Sequence, residues 1–122
     1  MNDLHQTIFV ADYEETIRFT LLLILRKAGY SVFGFPRSEP TLSEAESIRP
    51  DLLITDVLIW TDSGAKLATK VQTMHPNCKV LIFTGAAHPQ RILEHNGINL
   101  PVLSKPAHPD VLLAAVRELL RT

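Results

Sequence analysis

Five short runs of consecutive apolar residues punctuate the chain, at residues 7–11, 30–35, 52–55, 80–84 and 100–103. Stretches such as IFVA, LLIT and VLIF carry no polar alternation, the pattern of strands covered on both faces in a parallel sheet. Between them the apolar period lengthens to that of helices. Over residues 14–28, Ile17, Leu21, Ile24, Leu25 and Ala28 recur on one side, and Gly29 follows as a stop. Residues 63–74 repeat the pattern with Ala65, Leu67, Ala68 and Val71 inward, closed by His75-Pro76. Residues 111–120 form the last helix, opened by His108-Pro109-Asp110. Pro36 and Pro40 delay the second helix to about residues 41–48, while Pro89 starts a short fourth helix that Asn96-Gly97 ends. Strict alternation, with crossovers long enough to be right-handed, predicts one α/β domain: a doubly wound sheet of five parallel strands with helices on both faces.

Composition narrows the function classes. With 46% hydrophobic and 20% charged residues in 122, the chain can bury one core without disulfides or a structural metal. The formal charge of −1 provides no basic stripe, so direct nucleic-acid binding is not expected. Cys78 has no partner for an internal disulfide and reads as a buried residue entering the sheet rather than a nucleophile. The first residues lack the basic start and long apolar core of a signal peptide, and the apolar stretch Leu21 to Leu25 is far short of the ~20 residues that span a bilayer. The expectation is a cytoplasmic chain with no membrane partner.

In doubly wound sheets the ligand site lies beyond the carboxyl ends of the strands. Those ends carry Asp12 with Tyr13 and Glu14, then Asp56, Thr84-Gly85 and Lys105-Pro106. Singly, each has a plain explanation: an Asp after a strand caps a helix, and a Lys is solvated. Together they place two carboxylates, a hydroxyl and an ammonium at one rim. Other motifs fade. Ser63-Gly64-Ala65-Lys66 fits a Ser-x-x-Lys pattern whose companion motifs are missing. The histidines at 5, 75, 88, 95 and 108 lack metal-ligand spacing and read as scattered surface residues, and no Gly-rich phosphate loop follows any strand.

From Asp12 to the last helix the chain resembles the receiver domain of response regulators in two-component phosphorelays. The resemblance rests on Asp12, on Pro50-Asp51-Leu52-Leu53-Ile54-Thr55-Asp56, and on Gly64, Thr84 and Lys105-Pro106. It implies a flavodoxin-like strand order 2-1-3-4-5 and a signalling domain rather than an enzyme, a single receiver over residues 1–122 without an output domain, stand-alone or cut from a longer protein. It implies that Asp56 is the phosphoacceptor and that Mg²⁺ is held by Asp12, Asp56 and the backbone carbonyl of Leu58. Lys105 would pair with a phosphoryl oxygen, and Thr84 would move inward to another as the switch. The implied donor is a sensor histidine kinase or a histidine phosphotransfer protein, and the output is a changed protein-binding face for a downstream protein.

Several positions depart from the family's pattern. Where a second acidic residue usually follows the first strand, this chain has Tyr13, so Mg²⁺ binding should weaken unless Glu14 reaches in. Val102 replaces the usual switch aromatic, Ala107 the Phe after Lys-Pro, and Trp60 a Pro in the loop after Asp56. Trp60 reads as a ring packed on the rim in preference to a cover over Asp56. These substitutions motivate an alternative, a pseudo-receiver that binds proteins without phosphorylation; a small hydrolase on the same fold lacks a nucleophile and base pair. Phe19 and Leu23 on the first helix, and Leu113 and Leu120 on the last, fall off the main apolar faces. In the family the first helix often meets the histidine-bearing partner and the last often forms a homodimer, but scattered exposed apolar residues are ordinary and that plainer reading is preferred.

Overall fold

The computed structural model describes residues 5–121. Its main sheet contains β1 (Thr7–Ala11), β2 (Ser31–Phe35), β3 (Leu52–Thr55), β6 (Lys79–Thr84) and β7 (Val102–Ser104), all parallel in the order β2-β1-β3-β6-β7. This is the predicted 2-1-3-4-5 order. A small antiparallel hairpin, β4 (Leu58–Ile59) with β5 (Asp62–Ser63), lies between β3 and the third helix. The helices are α1 (Glu15–Lys27), α2 (Ser38–Ala45), α3 (Gly64–Met74), α4 (Pro89–His95) and α5 (Pro109–Arg121).

The continuous apolar runs are explained by a core on each side of the sheet. Successive strand residues point to opposite faces, so Ile8, Val10, Leu52, Ile54, Leu81 and Phe83 meet Leu21 and Leu25 of α1 and Leu112 and Val116 of α5. Phe9, Leu53, Val80 and Ile82 instead meet Leu67 and Val71 of α3 and Leu93 of α4. The starts of three strands are stitched by Asp51. Its carboxylate accepts from Thr7 N at 2.7 Å, its own N–H donates to the Thr7 carbonyl, and its carbonyl accepts from Lys79 N. Beyond the end of α1 stands Gly29, whose φ of +104° an L side chain rarely adopts, with Gly29 N bonded to Arg26 O and Tyr30 N to Leu25 O.

Several sequence expectations need correction. α2 begins at Ser38, not near residue 41: Pro40 sits within its first turn, where a missing N–H costs nothing. β7 is Val102–Ser104 rather than residues 100–103. Ala28 is exposed beyond α1, whereas Phe19 and Leu23 are exposed as expected. Leu113 and Leu120 pack against the α1/α5 core, and the large apolar residue that α5 exposes is Val111. His75 is half-buried rather than a free surface residue, its Nε2 lying 2.8 Å from the Ala45 carbonyl and tying α3 to α2. Cys78 is buried as expected, and burial foremost, then the charge of Asp51, pushes its thiol up to about 12. Among the described residues no helix is long and apolar enough to cross a membrane.

Candidate functional site

Asp12, Asp56, Thr84 and Lys105 lie at or one position beyond their strands, where the backbone ladders hold them, and Tyr13 and Glu14 follow in the loop after β1. Asp12 N donates to the Phe35 carbonyl, Asp56 N to the Ala11 carbonyl, and Lys105 N to the Thr84 carbonyl. The loop after β1 is braced by Arg18, whose guanidinium donates to the carbonyls of Asp12 at 2.8 Å and Tyr13 at 3.4 Å. Arg18 was not among the predicted site residues, because an Arg on the polar side of a helix carries no local signal of what it reaches.

The side chains converge as well. Lys105 Nζ donates to Asp12 Oδ2 at 2.7 Å and to Asp56 Oδ2 at 2.9 Å, and Glu14 Oε1 stands 3.7 Å away. Asp56 Oδ1 accepts from Val57 N at 2.7 Å and from the Thr84 hydroxyl, which in turn accepts from Ala86 N at 3.2 Å. Asp12 Oδ1 accepts from Glu14 N at 3.0 Å. Asp12 and Thr84 are buried and the Asp56 side chain is 18% exposed, so Asp56 reaches solvent where they do not. Burial works against the ammonium of Lys105, but the bonds to Asp12 and then Asp56 outweigh it and raise its pKa.

Gly64 explains how β3 and α3 can meet so closely. A Cβ there would stand 1.8 Å from the Asp56 carbonyl oxygen, so only glycine lets the helix start against the strand end. Ser63 caps that helix by accepting from Lys66 N, which accounts for the Ser-x-x-Lys pattern without catalysis.

The predicted rim residues do not all join the cluster. Tyr13 is turned outward, its ring packed against Trp60 at a tilt of 39° with centroids 4.4 Å apart, and both are about half exposed. Of the two residues considered for the second acidic position, Glu14 is the one that approaches Lys105. Trp60 packs on the rim, in the two-residue turn of the β4/β5 hairpin with φ +60°. Leu58 lies in β4 with its side chain exposed, and Val102 packs into the core on the α3/α4 side.

The family model of the response regulator receiver domain matches residues 8–117. The chain belongs to this family. Its similarity to the transcriptional regulatory protein CreB of Escherichia coli is 31% identity over 95% of this chain and 51% of CreB, so the chain spans about half the length of that relative. Similarity to the sporulation initiation phosphotransferase F of Bacillus subtilis is 25% over 96% of this chain and 95% of that protein. The structure of the Vibrio cholerae chemotaxis protein CheY4 superposes with a TM-score of 0.84 at 22% identity, covering 95% of this chain and 99% of that one, which establishes the shared fold. Receiver domains are signalling modules rather than classical enzymes, are phosphorylated by histidine kinases or phosphotransfer proteins, and typically bind Mg²⁺ at the phosphorylation site.

The donor chemistry of this receiver suits such an ion. Asp12 and Asp56 are hard oxygen donors already converging on one cation, the Lys105 ammonium. Tyr13 contributes no charge to them, and Glu14 stands at the edge.

Proposed function

We propose that this receiver takes a phosphoryl group from a phosphohistidine donor onto Asp56. The observation that carries the reading is the bonding of Asp56 at once to Val57 N, the Thr84 hydroxyl and Lys105 Nζ, with its other neighbour Asp12 sharing the same ammonium. An Asp56 carboxylate oxygen would attack phosphorus. The P–N bond to the donor imidazole breaks with its electron pair kept by nitrogen, and an acyl phosphate remains on Asp56. The transition state is loose, with charge on the equatorial oxygens, so the protein's part is to position and neutralise. Lys105 follows the negative charge from the carboxylate onto a phosphoryl oxygen, and the Thr84 hydroxyl donates to another. Asp12, Asp56 and the Leu58 carbonyl would hold Mg²⁺, which when bound offsets the charge of the phosphoryl oxygens.

The donor in this reading is a sensor histidine kinase or a histidine phosphotransfer protein of the cytoplasm, and the output is a contact with a downstream protein through the β6–α5 region. A second reading, the pseudo-receiver, draws on Tyr13 facing Trp60 and on Val102 in the core. Beryllofluoride with Mg²⁺ separates the two. A working acceptor binds it as a phosphoryl mimic, seen as bound fluorine resonances in the wild type and none in Asp56→Asn; no bound resonance in the wild type supports the pseudo-receiver.

A further inference from the structure

After β1 the chain leaves the sheet at Asp12 and enters α1 at Glu15. On the way, the peptide units 12–13 and 13–14 both present their carbonyls to Arg18, whose Nη1 donates to Asp12 O at 2.8 Å and, at a longer 3.4 Å, to Tyr13 O. The half-buried Arg18 side chain reaches them past β2, where Gly34 leaves room for its stem: a Cβ there would stand 3.0 Å from Arg18 Cγ and 3.1 Å from Leu22 Cδ1. In a trans peptide the C=O and the N–H point in opposite directions. With the Tyr13 carbonyl turned to Arg18, the Glu14 N–H of the same trans unit is turned the other way, onto Asp12 Oδ1 at 3.0 Å. Asp12 Oδ2 is meanwhile held by Lys105 Nζ at 2.7 Å. The guanidinium therefore stands behind one of the two bonds that fix the rotation of the Asp12 carboxylate. The loop has little other support: Tyr13 and Glu14 are exposed, and among the described residues the Glu14 side chain at the N-cap of α1 makes no capping bond. Turned over, the 13–14 unit would set its carbonyl oxygen, an acceptor, against the acceptor Oδ1 of Asp12.

We propose that Arg18 is a positioning residue for the phosphoacceptor site: by fixing the 13–14 peptide it orients the Asp12 carboxylate for Mg²⁺. The proposal rests on the reading of Asp12 as a ligand of that ion. The sign of the effect separates this role from plain electrostatics. Removing a positive charge from the neighbourhood of the acidic cluster would, by Coulomb attraction alone, tighten the binding of a divalent cation. Loss of the brace weakens it.

The test pairs Mg²⁺ titration calorimetry with NMR measurement of amide exchange with water in the metal-free chain, for the wild type, Arg18→Ala and Arg18→Lys. In Arg18→Ala the Glu14 N–H should exchange about three- to tenfold faster, the scale of one hydrogen bond, while the Gly29 N–H, bonded to Arg26 O at the far end of the helix, keeps its rate. Mg²⁺ affinity should fall about tenfold, the low end for a residue behind a metal ligand. Arg18→Lys keeps a charge that reaches one carbonyl but not the fork that reaches two, and should fall between. An unchanged Glu14 rate, equal acceleration at Gly29, or a Mg²⁺ affinity unchanged or raised in Arg18→Ala would each overturn the proposal. A wild type that binds no Mg²⁺ would overturn the metal reading of Asp12 and with it the purpose assigned to Arg18, while the Glu14 rate, read without metal, still decides whether Arg18 sets the peptide.

Discussion

Asp12, Asp56, Thr84 and Lys105 occupy the ends of four adjacent strands and bond to one another, whereas Tyr13, Trp60, Val102 and Ala107 surround them with apolar or aromatic side chains that join none of those bonds. The first group is held by the sheet: each member is positioned by a backbone hydrogen bond to a neighbouring strand or by the strand itself. In the second group Tyr13, Trp60 and Ala107 are set by loops, which change without disturbing the sheet, and Val102 opens the edge strand β7. A receiver can therefore keep its acceptor floor while its rim is rewritten, and the two regions should respond to substitution very differently.

The largest effect is expected inside the floor. Lys105→Met removes the one cation shared by the buried Asp12 and the partly exposed Asp56 and should cost about 3 kcal/mol in urea unfolding, the low end of the range for a broken buried pair. The sign of the pH dependence follows. The folded state raises the Lys105 pKa above its ordinary 10.5, so its stabilisation is complete below that pH and is lost as pH rises through the raised value. Lys105→Met should lack that alkaline loss. Next comes Gly64→Ala, which drives a Cβ into the Asp56 carbonyl and should cost about 3 kcal/mol by thermal melting, since the obstacle is backbone and cannot rotate away.

The rim should yield smaller changes in stability but visible ones in ligand affinity. Tyr13→Asp restores a second carboxylate beside Asp12 and should tighten Mg²⁺ binding about tenfold by calorimetry, because affinity for this ion follows ligand charge. An unchanged affinity would show that Glu14 already fills that role. Trp60→Gly should move stability by less than about 1 kcal/mol: relief of a left-handed backbone worth roughly 1–2 kcal/mol offsets the loss of a tilted aromatic pair worth roughly 0.5–1.5 kcal/mol.

The same division governs what can be read from the residues alone. β1 and β3 match the expected ranges because unbroken apolar runs have few other uses in so short a chain, and Asp12, Asp56, Thr84 and Lys105 are legible as a group because topology puts all strand ends at one edge. Pro40 misleads about α2 because proline stops a helix interior but suits a first turn. The β4/β5 hairpin has two-residue strands, too short for any period to register, and Trp60 at φ +60° defies the usual preference for glycine or asparagine in such a turn. Whether Leu113 and Leu120 face the core depends on how far α5 rotates against α1, which a helical wheel does not contain. Arg18 bracing the Asp12 loop, and Glu14 rather than Tyr13 turning toward Lys105, are likewise consequences of tertiary packing.

The most direct test of the central claim is the intact mass of the chain after incubation with acetyl phosphate and Mg²⁺, for the wild type and for Asp56→Asn. A gain of one phosphate in the wild type, absent in Asp56→Asn, is the predicted result and would show that the floor works despite its rewritten rim. An unmodified wild type that remains folded by circular dichroism, and stays unmodified with a phosphohistidine donor, would contradict it.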